Sequence, residues 1–174
     1  KPLCLLTAKP VLYVSNVDEH DLDGGEGSNV AAVKAHAQIS GDELVLVSAR
    51  IEQEIAMLDR QERSVFLNDL GLAESGLDRV IRAGYSLLGL RTFFTAGPKE
   101  ARAWTIKSGM TASAAAGVIH TDFERGFIRA ETIAYDDFVA LGGEQGARDA
   151  GRLRLEGRDY VVNDGDIMHF RFNV

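Results

Sequence analysis

Asn16-Val17-Asp18-Glu19 is the first stretch whose residue types and spacing could do chemistry. It directly follows a strand-like run, V-L-Y-V-S, at residues 11–15. An asparagine side chain carries a paired donor and acceptor and can bridge the edge of a planar heterocycle. A carboxylate three residues on can accept N–H groups from the same edge. Ligands of open α/β sheets bind just past the carboxyl ends of strands, where these residues fall. A second strand-like run, E-L-V-L-V at 43–47, ends in Ser48-Ala49, whose backbone N–H groups are offered at the corresponding place. Each half alone has an ordinary explanation. Asn, Asp and Glu after a strand make turns, and a serine there caps the next helix. The pairing of the two strand ends says more than either.

Other candidates divide between chemistry and scaffold. His120-Thr-Asp122-Phe-Glu124 would put three metal-ligating side chains on one face of an extended segment, although zinc prefers more His or Cys. His20, His36 and His169 show no paired spacing, and His169 reads as a surface position. Cys4 has no His or Asp partner nearby in sequence. Tyr85 and Trp104 read as packing residues. Arg148, Arg152, Arg154 and Arg158 fall within eleven residues, interleaved with Asp149, Glu156 and Asp159. They are either a solvated mixed face or a backbone-directed RNA contact; Arg125 and Arg129 join them as candidates. A phosphate loop, G-x-x-x-x-G-K-[ST], is absent. The nearest run, from Gly84 to Gly89, lacks the lysine and precedes a strand.

The elements that must position these residues come in two kinds. Residues 10–15 read as a strand buried on both faces, Ser28 or Asn29 as the cap of a helix over 30–38, and Glu43–Val47 as a second strand followed by a helix through Leu58. Strand, helix, strand, helix is the pattern of a parallel α/β sheet, and two strands make only its edge. Residues 21–27 are turn-rich. Residues 61–88 read as helical, with Phe66, Leu67 and Leu70 on an apolar face and Gly71 as C-cap. A further helix starts at Ser75 with Leu77, Val80, Ile81 and Leu88 inward. From about Thr92 short strands alternate with turns: 90–95, 101–106, and Ile167–Phe172 after the turn at 163–166. This predicts three parts: 1–60, a helical connector over 61–91, and a small α+β domain over 92–174.

Bulk properties narrow the classes. The chain has 174 residues, 45% hydrophobic and 26% charged, with three prolines and one cysteine. That is a globular composition, not a disulfide scaffold or a disordered tail. No apolar run is long enough for a membrane helix. The net charge of −7 lies entirely in residues 1–75, with 6 Lys+Arg against 13 Asp+Glu; residues 76–174 balance 13 against 13. A neutral, Arg-rich rear meets RNA more easily than an acidic front. The first residue is Lys1, which predicts a processed or partial polypeptide.

Three long stretches join the N-x-x-E and S-A motifs in a resemblance: A-W-T-I-K at 103–107, A-A-G-V-I-H-T-D-F-E-R-G-F-I-R-A-E-T-I at 115–133, and L-E-G-R-D-Y-V-V-N-D-G-D-I-M-H-F-R-F at 155–172. Together they resemble the Obg-like ATPases, the YchF family of P-loop proteins, over nearly the whole chain. The resemblance implies the end of a G domain followed by a TGS domain, a ubiquitin-like β-grasp. It implies a cytoplasmic, ribosome-associated ATPase or GTPase, with ribosome or RNA as partner and ATP or GTP with magnesium as the bound nucleotide of the complete protein. Carried residue by residue, it makes Asn16 and Glu19 base contacts, Val17 a wall of the base pocket, and Ser48 and Ala49 supporting backbone and cap.

Ordinary GTPases carry N-K-x-D here. Adenine has an acceptor at N1 and no 2-amine, so it cannot satisfy that aspartate, and the longer Glu19 moves the carboxylate. The expected preference is ATP over GTP, or tolerance of both. The phosphate half would lie upstream of Lys1, so this polypeptide alone is not expected to hydrolyse nucleotide. The alternatives are a TGS-type RNA- or protein-binding module with no enzymatic role and a metal-dependent enzyme built on His120.

Overall fold

The computed structural model describes Leu3 and residues 5–22, 28–97 and 100–173. Cys4, and residues 23–27 of the expected turn over 21–27, lie outside them. Backbone contacts divide the chain into two units, one ending at Leu88 and the other starting at Gly89; the helices over 61–88 group with the first.

The first unit is built on two parallel strands, β1 (Leu12–Asn16) and β2 (Glu43–Val47), joined by α1 (Ser28–Ser40). The register pairs Asn16 with Val47, so both strands end at one level. Helices α2 (Ala49–Met57), α3 (Arg60–Asp69) and α4 (Gly76–Leu87) follow. Leu22, Ile51 and Ile55 form a small core with Val17, Leu46, Phe66, Leu67, Leu70 and Leu72 against it. α3 opens on a capping box: Asp59 accepts from the Gln61 and Glu62 N–H groups, and Glu62 accepts from the Asp59 N–H. It ends at Gly71, whose φ of +70° is the left-handed conformation a glycine C′ position supplies.

Glu52 of α2 accepts the first N–H groups of α4, from Gly76 at 2.7 Å and Leu77 at 3.2 Å. A Cβ on Gly76 would stand 2.9 Å from that carboxylate and 3.0 Å from Val47, so only glycine lets α4 approach so closely.

Three expectations for this unit change. β1 is not buried on both faces: Val14 is 48% exposed, because one strand edge and part of one face have no cover among the described residues. The helix over 30–38 runs from Ser28 to Ser40, so Asn29 lies inside it instead of capping it. Leu77, Ile81 and Leu88 do not turn inward; all three are at least half exposed. The small residues Gly76 and Ala83 are the buried face of α4, because they allow it to lie close on the sheet.

The second unit holds one five-stranded mixed sheet, ordered β4-β3-β7-β5-β6. β3 (Leu90–Ala96) and β4 (Ala101–Lys107) form a hairpin. β5 (Phe127–Ile133) and β6 (Arg154–Glu156) pair antiparallel. β7 (Ile167–Phe172) lies in the middle, parallel to β3 and antiparallel to β5. α5 (Ala112–Ile119) packs on one face through Ala112, Ala115 and Ala116, each fully buried; side chains this small let the helix sit low over Phe93, Ile106, Met168 and Phe170. From Met168 on, β7 alternates: Met168 and Phe170 are buried, His169 and Arg171 exposed, while Ile167 at its start is buried as well.

α6 (Thr121–Arg125) follows α5 directly, and α7 (Tyr135–Ala140) and α8 (Glu144–Asp149) lie between β5 and β6. Gly126 is required by packing, since a Cβ there would stand 1.8 Å from the Asn173 carbonyl oxygen. The turn at 163–166 closes on Asp166. Its carboxylate accepts from the Tyr160 hydroxyl at 2.7 Å, the Asn163 N–H at 2.9 Å and the Arg154 guanidinium at 3.3 Å. Burial first, and then that bond to Asp166, raises the Tyr160 hydroxyl above its usual range.

Candidate functional site at the paired strand ends

The level ends of β1 and β2 bring Asn16 to Ala49. The Asn16 side-chain Oδ1 accepts the Ala49 N–H at 2.9 Å, across 33 residues of sequence. This corrects the expected cap. Ser48 occupies the residue before α2 and is 4% exposed, but its hydroxyl makes no capping bond. The capping oxygen of α2 comes from Asn16 instead, because the register places that side chain at the helix start. One donor expected to face a ligand is thereby used inside the protein. With Oδ1 committed, the Asn16 amide keeps its NH₂ group as two donors, and the residue is exposed.

Val17 continues the ladder, donating its N–H to the Val47 carbonyl at 2.8 Å, and its side chain is half-buried on the Leu22, Ile51 and Ile55 core. Glu19 opens a short 3-10 turn over Glu19–Asp21. It is exposed, its carboxylate has no hydrogen bond or ion pair among the described residues, and it lines a cavity of about 410 Å³ with His20, Leu22, Ile51 and Asp69. Asn16, Ser48 and Ala49 do not line that cavity. The structure thus bonds Asn16 to Ala49, leaves Val17 and Ser48 beside them at the same sheet end, and sets Glu19 on the adjoining turn.

The arginines of the second unit sort by partner. Arg154 is bound to Asp166 and Tyr160 and lies 3.7 Å from Glu156. Arg158 donates to the Glu124 carbonyl and lies over the Phe127 ring. Arg148 reaches Glu144 at 2.8 Å and Glu131 at 3.8 Å; Arg152 lies 3.8 Å from Asp137. Arg125 and Arg129 are exposed and have no such partner among the described residues.

Arg171 was not singled out in the sequence. It holds the buried Glu131 through Nε at 3.3 Å and Nη2 at 3.2 Å. That hydrogen bonding keeps the Glu131 carboxyl below the usual glutamate range. Arg129 and Arg171 face one another across β5 and β7, so the sheet presents two like charges side by side. The alternation of β7 was the signal that could have found Arg171.

The His120 cluster is corrected as well. Residues 121–125 are helix, not an extended segment, and His120 is its N-cap: Nδ1 accepts the Asp122 N–H at 3.2 Å. No group of three His, Cys, Asp or Glu side chains is arranged for a metal among the described residues. Nor is any described helix long and apolar enough to cross a membrane.

By architecture this is a mixed α/β protein of a kind found in GTP-binding proteins. The chain superposes on a GTP-binding protein from Pyrococcus horikoshii with a TM-score of 0.62 at 19% identity, a likeness of fold alone. It superposes on the Schizosaccharomyces pombe YchF GTPase with a TM-score of 0.80 at 37% identity, over 96% of this chain and 44% of that one. Residues 90–173 match the family YchF-GTPase_C, described as a protein of unknown function. The chain is 57% identical to the "Ribosome-binding ATPase YchF" of Bacillus subtilis over its whole length and 48% of that protein. It is 43% identical to the "Obg-like ATPase 1" of Rattus norvegicus over 97% of this chain and 43% of that protein. The chain belongs to the YchF, or Obg-like ATPase, family and corresponds to its C-terminal part. It spans about half the length of the curated relatives it matches.

Proposed function

We propose that this chain is the base-reading and docking part of a ribosome-binding ATPase. The first unit contributes the edge of a G domain that reads the nucleotide base. The second is a TGS domain with β-grasp topology that docks on the ribosome in the cytoplasm. The hydrogen bond from Ala49 to Asn16 carries the reading. It links Asn16 of N-x-x-E to Ala49 of S-A, 33 residues apart in sequence, at the carboxyl ends of two parallel strands.

The donor set fits adenine. The Asn16 NH₂ group offers donors to a ring nitrogen. Glu19 is an exposed carboxylate acceptor suited to the exocyclic amine. No residue of this chain supplies the glycine-rich loop and lysine for the phosphates, so the magnesium–nucleotide phosphates and their hydrolysis belong to the whole protein. Nucleotide bound there supplies the phosphoryl group; the residues here orient its base.

The test is a base swap. Val17→Lys with Glu19→Asp, made in a protein that carries a phosphate loop, is expected to shift preference from ATP toward GTP by about ten-fold or more. An unchanged ATP:GTP affinity ratio contradicts the assignment.

A further inference from the structure

We propose that a cleft on the α5 side of the second unit's sheet holds an unpaired nucleotide of single-stranded RNA. Its base would rest on the Trp104, Phe123 and Phe172 rings and its phosphate would meet Arg102. The inference deepens the docking reading above and rests on it.

The cleft has a volume of about 740 Å³, within the range of small-molecule sites, and lies where the apolar core opens to solvent. Trp104, Ile119 and Phe123, all half-buried, pack on the core and also line the cleft. Phe123 stacks on Phe172 with ring centroids 3.9 Å apart and planes 26° apart, which gives the cleft a flat aromatic wall. Trp104 is held by a 3.0 Å hydrogen bond from its Nε1 to the Thr95 hydroxyl, and the Arg102 guanidinium lies over its ring, so cation and ring sit together on the cleft wall.

Two polar groups select the occupant. The Arg102 guanidinium lies 4.3 Å from the Trp104 ring centroid and has no hydrogen bond or ion pair among the described residues. His120 accepts the Asp122 N–H at Nδ1, so in the neutral ring the proton sits on Nε2 as a donor. An aliphatic helix pressed into the cleft would bury both groups unpaired, at a cost. A bare anion would meet the carboxylate of Glu100 on the same lining, so charge alone does not account for affinity. A nucleotide satisfies the set: a base stacks on the rings and its phosphate takes the guanidinium. A duplex keeps its bases in the stack and cannot enter.

Trp104 is the only tryptophan in the chain, so its fluorescence reports this cleft. The chain is titrated with a single-stranded RNA decamer, with AMP and with inorganic polyphosphate. The expected result is saturable quenching by the decamer, at least ten-fold tighter than by AMP, and none by polyphosphate. Arg102→Ala, at an exposed position, is expected to weaken the decamer about ten-fold with an unchanged circular dichroism spectrum and melting temperature.

AMP binding as tightly as the decamer overturns the RNA assignment in favour of free nucleotide. Equal quenching by polyphosphate overturns the stacking role. An amphipathic helical peptide that shifts the fluorescence where the decamer does not would make the cleft a protein-docking groove and overturn the inference. Parallel sedimentation with ribosomes separates the two claims: a chain that pellets with ribosomes but shows no quenching keeps the docking reading and loses the cleft. A chain that quenches but does not pellet loses the docking reading.

Discussion

The two units solve the same burial problem to different degrees. The second closes a five-stranded sheet around Phe93, Met168 and Val162, each essentially without exposure. The first has two strands and a core cluster of only three buried side chains, Leu22, Ile51 and Ile55, and it leaves Val14, Ile39, Leu77 and Ile81 at least about half exposed. Five strands with a helix across one face bury enough surface for independent stability, whereas a two-stranded sheet is marginal by itself. The polar networks differ in the same way. The second unit ties three of its arginines, Arg148, Arg154 and Arg171, to Glu144, Asp166 and Glu131. The first spends its polar side chains on helix ends, through Asn16, Glu52 and Asp59. The second unit is thus tied together by ion pairs across its sheet and helices, whereas the first depends on a few side chains that hold helix starts, two of them, Asn16 and Glu52, across long stretches of sequence.

Phe93→Ala should break this contrast most forcefully. It is expected to remove about 3–5 kcal/mol from the second unit, read by denaturant unfolding, and to leave amide exchange of β1 and β2 unchanged. Equal acceleration of exchange in β1 would mean that the chain unfolds as one body and that the contrast fails.

Asn16→Ala should cost about 1 kcal/mol in the first unit through loss of the α2 cap. The signature is faster amide exchange in the first turn of α2. Asn16→Asp restores an acceptor oxygen and should recover most of the protection. If Asn16→Ala leaves that exchange unaltered, Asn16 does not hold the strand ends together.

A smaller effect sharpens the picture on the second unit. Arg171 holds the Glu131 carboxyl below its usual range. A carboxylate with a depressed folded pKa stabilises fully above the unfolded value, near 4.5, and that contribution fades as pH falls through the lower folded value. Stability of the second unit should therefore decline on acidification below about pH 4.5, and Glu131→Gln should flatten that part of the profile. An identical pH dependence in the variant would show that the pair carries no linkage.

What the sequence disclosed follows from the range of the interactions. Local features were legible: the β7 alternation, the Gly71 cap and the turn at 163–166 all depend on neighbours within a few residues. The N-x-x-E and S-A motifs were legible as types, but the Asn16–Ala49 bond was not, because it depends on a register set 33 residues away. Ser48 therefore read as the cap when Asn16 performs that role. The arginine cluster shows the same limit. Nothing local distinguishes Arg154, committed to Asp166 twelve residues on, from Arg129, which stands exposed. α4 misled for another reason: its large apolar residues suggested the inward face, while the close approach of Gly76 and Ala83 decides the packing.

The docking claim is met most directly by sedimenting the purified 174-residue chain with ribosomes across a salt series, beside an Arg125→Glu/Arg129→Glu variant. The chain is expected to pellet at low salt, with binding that falls steeply with ionic strength, and the variant to bind about ten-fold more weakly with a shallower salt slope. A chain that stays in the supernatant at every salt concentration, or a variant indistinguishable from the parent, would contradict the docking claim.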